Sequence, residues 1–213
     1  MKKLLPIIFI LILSSCSKEV PLEQTVVRGE IVYLVNSEEP FTGTTVSYYE
    51  NGQLETKGNY KDGNEEGLRE GYFDNGQLEY KTNYKDGKLV GLVENYYENG
   101  QLQLKGNYKD EKEDGLVEGY YENGQLQLKG NYKDGKEDGL QEWYHDNGQL
   151  EQKTNYKNGK KDGILETYYK NGQLQYKTNF KDGKEDGLSE RYDENGQLIL
   201  RRNYKDGKRE DGL

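Results

Sequence analysis

Asn-Gly-Gln-Leu recurs at Asn51, Asn75, Asn99, Asn123, Asn147, Asn171 and Asn195, a step of 24 residues with no slippage. A second landmark, Asn-Tyr/Phe-Lys, keeps the same step, with its ring at Tyr60, Tyr84, Tyr108, Tyr132, Tyr156, Phe180 and Tyr204. A third is Gly followed by Leu or Ile at Gly67, Gly91, Gly115, Gly139, Gly163 and Gly187. In-phase repetition of this kind restricts a chain to an array in which each unit contacts mainly its neighbours.

One unit, taken from Gly115, reads GLVEGYYENGQLQLKGNYKDGKED. Glu-Asn-Gly between apolar alternations predicts a hairpin with a type I′ turn. Lys-Asp-Gly-Lys predicts the next turn, in a longer loop that absorbs a bulge. Each unit is therefore two strands, here residues 116–121 and 125–132. Period two puts Leu116, Glu118 and Tyr120 on one face and Val117, Gly119 and Tyr121 on the other. The expected fold is all-β: an elongated, single-layer antiparallel meander of seven 24-residue two-strand repeats over 43–213. At about 4.8 Å per strand, seven units extend on the order of 70 Å. Residues 26–42 read as an N-terminal capping strand with its turn, covering an open edge. At the other edge only the charges of Lys205, Lys208, Arg209, Glu210 and Asp211 offer protection.

Composition agrees with a thin sheet. Only 31% of residues are apolar, against 32% charged, yet there are 20 tyrosines. Mean hydropathy is -1.16. The net charge of -9 leaves no basic footprint for nucleic acid. Without residues 1–15, 28 basic residues face 39 acidic ones, or -11. That balance suits a soluble surface or a basic partner. A single cysteine excludes an internal disulfide framework, and one His with one Cys excludes a His/Cys zinc site within the chain. No cofactor is expected.

Residues 1–15 read as a secretory signal: Lys2 and Lys3, then an apolar stretch too short to span a bilayer. The junction Leu13-Ser14-Ser15-Cys16 resembles the lipobox of bacterial lipoproteins, which implies lipidation at Cys16. An ordinary signal peptide with an incidental cysteine is the alternative. Residues 16–25 then read as a tether. By resemblance to diderm sorting rules, Ser17 implies the outer membrane if the host has one.

Phe41-Thr42-Gly43, the Tyr-Tyr-Glu-Asn-Gly-Gln-Leu cores and the Tyr-Lys-Asp-Gly turns resemble the bacterial variant of MORN repeats, which includes proteins labelled antitoxins of the YwqK type. The resemblance covers 43–213. It implies scaffolds, membrane-associated modules and partner-binding surfaces. Some MORN proteins carry a lipid kinase domain, for which this chain has no room.

Candidate chemistry comes from columns. Glu70, Glu94, Glu118, Glu142, Glu166 and Glu190 share one repeat position. They form either a carboxylate row for basic partners or cations, or cross-strand pairs with Lys and Tyr hydroxyls. A second column reads Tyr49, Phe73, Tyr97, Tyr121, His145 and Tyr169, with Asp193 ending it. It is a candidate recognition stripe, or packing. Trp143 and His145 break the consensus side by side and mark the most specific contact. The carboxylates of loops such as Asp134-Gly135-Lys136-Glu137-Asp138 read as solvated turns, and no metal site is expected. A nucleophile needs a positioned base, and His145 is the only histidine. The expectation is a non-enzymatic, lipid-anchored envelope scaffold that binds a protein partner, with the membrane held through its lipid. The alternative is a glycan or cell-wall binding module.

Overall fold

The structure, a computed structural model, describes residues 18–210; the signal segment, Cys16 and Asp211 lie outside the described residues. Eighteen strands form one sheet and two more form a separate hairpin. The units follow chain order, each strand antiparallel to the next. In unit 4, Lys112–Tyr120 pairs with Leu126–Lys133. The second strand then pairs with Lys136–Tyr144 of unit 5. Unit 1 starts with Gly43–Tyr48 and unit 7 ends with Leu198–Lys205. The architecture is the single-layer meander expected from the period.

The two turns exchange the roles expected of them. The type I′ turn lies at Asp-Gly: Asp134 and Gly135 have φ of 50° and 77°, and Lys133 pairs directly with Lys136. At Asn-Gly only Gly124 is left-handed. Gly124 N–H donates to Tyr121 O, and Tyr121 N–H donates to Gln125 O, both at 2.8 Å. This is a type I turn closed by a left-handed glycine. The reason is the Asn123 side chain, whose Oδ1 accepts the Gln125 N–H at 3.0 Å. That Asx bond holds the turn without positive φ at asparagine. The register shift that follows falls between Gly119 and Tyr120.

The N-terminus also differs from expectation. The strand covering the first edge is β1 (Glu19–Pro21), within the segment read as tether, and it runs parallel to Gly43–Tyr48. In place of one capping strand over 26–42, β2 (Thr25–Arg28) and β3 (Ile31–Leu34) form their own hairpin. This hairpin docks on the first Asp-Gly turn, where Val32 N–H donates to Gly63 O at 2.9 Å. Hydrophobic burial explains the choice: Val20 and Phe41 are buried where the segments meet unit 1.

The faces of the sheet have different chemistry. One carries a charge ladder that crosses every unit: Lys57, Glu70, Lys81, Glu94, Lys105, Glu118, Lys129, Glu142, Lys153, Glu166, Lys177, Glu190 and Arg201 are successive cross-strand partners. Glu166 lies 2.9 Å from Lys153 and 3.0 Å from Lys177. Tyr168 OH donates to the same carboxylate at 2.9 Å. The glutamate column is thus engaged with both lysines and tyrosines. At the first edge Val46 stands where a glutamate would, and β1 makes good the loss: Glu19 Oε2 is 3.1 Å from Lys57 Nζ.

The other face holds a buried spine. Val93, Gly106, Val117, Gly130, Gln141 and Thr154 are consecutive partners across the strands, and Leu165, Thr178 and Ser189 continue the same column. Large side chains on first strands alternate with Gly or Thr on second strands, so volumes interlock in one layer. Gln141 is buried, and its Nε2 donates to Asn131 O at 2.8 Å. A Cβ on Gly130 would fall on Gln141 Oε1.

Gly130→Ala is expected to destabilise the sheet by about 1–3 kcal/mol through overpacking. Combining Gly130→Thr with Gln141→Ser copies the Thr178–Ser189 pair and is expected to restore most of that loss, measured by urea midpoints. The ladder sets a pH dependence. Burial opposes ionisation of Glu166, but hydrogen bonds from Lys153, Lys177 and Tyr168 outweigh it and bring the carboxyl to about 2. Glu118 is lowered mainly by Lys105, and Glu190 mainly by Arg201. A lowered folded pKa means that the unfolded chain binds more protons in the intervening range. Stability from these groups is therefore complete above the ordinary carboxylate value of 4.5 and is lost as pH falls toward 2. Thermal melts across that window should show the decline, and Glu166→Gln should flatten it.

Candidate binding surface

Along the first strands of units 2 to 7, alternate positions behave oppositely. The ladder face repeats Leu/Ile, Glu, Tyr: Leu68-Glu70-Tyr72 in unit 2, Ile164-Glu166-Tyr168 in unit 6. The facing positions vary. One column reads Arg69, Val93, Val117, Gln141, Leu165, Ser189; the next reads Gly71, Asn95, Gly119, Trp143, Thr167, Arg191; the third is Phe73, Tyr97, Tyr121, His145, Tyr169, Asp193. Every residue of the candidate stripe, with Trp143, belongs to this variable face.

The stripe is organised by its hydroxyls. Tyr49, Tyr97, Tyr121 and Tyr169 each donate to a backbone carbonyl 23 residues on, at Tyr72, Tyr120, Tyr144 and Tyr192, over 2.7–2.9 Å. Beside them, asparagines of the turns make the same step, as with Asn123 Nδ2 to Asp146 O at 3.2 Å. The rings therefore link consecutive units while remaining half-exposed. His145 substitutes for the hydroxyl, with Nε2 3.1 Å from Tyr168 O. Its Nδ1 lies 3.7 Å from Glu151. Phe73 has no polar atom to offer, so Tyr96 O lacks the donor its equivalents have.

A concavity opens on this face at each of the two rings that are not tyrosine. One, of about 650 Å³, lies between Phe73 and Tyr97 and is lined also by Glu79, Tyr80, Asn95 and Glu98. The other, of about 590 Å³, lies between His145 and Tyr169, with Glu151, Gln152, Thr167 and Lys170 in the matching places. The two are three units apart, roughly 30 Å at two strands per unit. The structure thus joins Phe73 with Tyr97, and His145 with Tyr169, while Tyr49 and Tyr121 line neither opening. Trp143 lies one column inward, half-buried between Leu128 and Gln152.

Sequence reasoning missed the walls supplied by second strands, Glu79, Tyr80 and Gln103. The signal was present in the spacing of Phe73 and His145, but its meaning needs the reach of the tyrosine hydroxyl. Elsewhere on the variable face, acids sit beside rings: Tyr176 OH donates to Glu185 at 2.6 Å. Burial raises the Glu137 carboxyl, and Glu113 adds to this while Lys161 opposes it. Among the described residues, no group of three or more His, Cys, Asp or Glu is placed to hold a metal ion.

A family model described as MORN repeat variant matches seven segments, residues 41–62, 65–86, 89–110, 113–134, 137–158, 161–182 and 185–206. No curated protein matches the chain.

Tyr121→Phe removes one hydroxyl-to-carbonyl link and is expected to cost about 1 kcal/mol. Equilibrium unfolding measures it; an unchanged midpoint would show that the column contributes packing alone.

Proposed function

The chain belongs to the MORN repeat variant family, and we propose that it is a non-enzymatic scaffold whose variable face binds a protein partner. The observation that carries this reading is the division of the first strands. Leu/Ile, Glu and Tyr are constant from units 2 to 7 on the ladder face, and nearly all unit-to-unit change falls on the other. Constant residues form the charge ladder. The variable side is where one unit differs from the next in shape and charge, and it carries half-exposed rings of the kind that anchors protein interfaces.

In this reading the scaffold is a bacterial lipoprotein. The segment preceding Cys16 supports export, and acyl chains on Cys16 hold the sheet at the envelope, in the outer membrane of a diderm host. The net charge of -9 suits a basic partner. Immunity against a basic toxin, as the YwqK-type label suggests, is a narrower form of the same reading.

Proximity labelling on intact cells with the full chain tests it. Trp143→Ala, on the variable face, should reduce labelling of a protein neighbour several-fold, whereas Leu140→Ala on the ladder face should leave it. Equal labelling by both variants and wild type, or sedimentation with peptidoglycan that Trp143→Ala abolishes, would reject the protein-partner assignment.

A further inference from the structure

We propose that the opening between Phe73 and Tyr97 receives an arginine side chain from a polypeptide partner. The inference rests on the variable face being the binding face and adds the chemistry of one contact. Three observations converge on it. First, the column lacks its hydroxyl at this opening. In four other units a tyrosine oxygen fills the gap to the next unit's carbonyl. At Phe73 the gap stays open and Tyr96 O stands in its wall without that donor. A ligand entering here meets an acceptor that every tyrosine-bearing unit satisfies internally.

Second, the lining is rich in acceptors and ring faces and has no basic residue. Glu79, Glu98 and Glu122 surround Phe73, Tyr80 and Tyr97. The amides are partly committed: Asn99 donates to Glu122 O at 3.0 Å, and its Oδ1 accepts Gln101 N–H at 2.9 Å. A cation that stacks on rings and donates several hydrogen bonds from one plane fits this wall. The guanidinium does both, while an ammonium offers no plane to stack.

Third, the molecule contains its own contrast. In the His145–Tyr169 opening, the imidazole already lies 3.1 Å from the equivalent carbonyl. Lys170 stands there in the place of Glu98 and pairs with Asp146 at 2.8 Å. A cavity of similar volume, three units away, is thus filled at its acceptor and has Lys170 in its lining.

The test is an NMR titration of the full chain with N-acetyl-arginine methylamide at low ionic strength. Saturable amide shifts are expected at Phe73, Asn95, Tyr97 and Gln103, and the His145–Tyr169 opening should need at least tenfold more ligand. Phe73→Tyr restores the consensus of the column, so it should fold normally, close the gap, and weaken binding at least tenfold. Absence of saturation in the wild type, an equal response at both openings, or unchanged affinity in Phe73→Tyr would overturn the assignment. If the assignment fails while Trp143→Ala still diminishes labelling of the cellular partner, the arginine contact alone is wrong. If Trp143→Ala has no effect either, the variable face itself is misassigned.

Discussion

A single layer of strands has no second layer to bury against, so each strand must be held by the two beside it. Among the described residues only six apolar side chains are buried: Val20, Phe41, Val46, Val93, Val117 and Leu165. The backbone ladder supplies the common frame. What makes it specific is that side chains at equal phase meet across strands: lysine meets glutamate on one face, and a large residue meets glycine or threonine on the other. A slip by one residue would put Lys129 against Gly119 or Val117 and break both patterns at once. Individually, such half-exposed ion pairs are weak. Their value lies in repetition and in the register they enforce.

This arrangement frees the variable face from the task of assembly, though not completely. The spine must still interlock, which is why Gly130 and Gln141 are linked choices. The third column is also structural, since its hydroxyls bridge units. The candidate surface is therefore a relaxation of a structural rule at two units, Phe73 and His145, and not an addition to the sheet. The candidate surface and the framework share the same column, and at Phe73 the framework withholds a bond.

Much of this was legible in the sequence. The 24-residue step, the strand pairs, the single layer and the assignment of Val117, Gly119 and Tyr121 to one face all follow from period and alternation. The identity of each turn did not follow. Asn-Gly commonly signals a type I′ hairpin, but the Asn123 carboxamide is used as an acceptor for Gln125 N–H, and that choice is visible only in three dimensions. The edge strand was misplaced because Glu19–Pro21 is too short to show a period. The glutamate column was visible, with lysine pairing as one of its two readings. The register that places Lys105 and Lys129 on either side of Glu118 depends on bulges no pattern announces. The openings were least legible, because second strands supply part of their walls, as Glu79 and Tyr80 do beside Phe73.

The asparagine and tyrosine links of the turns all span one unit less one residue. No bond of this class reaches farther than the adjoining hairpin. Excision or duplication of a whole unit therefore leaves every remaining link with a chemically equivalent partner. For the gene, this makes the distance between the Phe73 and His145 openings a quantity that changes in whole increments of about 10 Å. Recombination between repeats can tune how far apart the two openings lie without redesigning either of them.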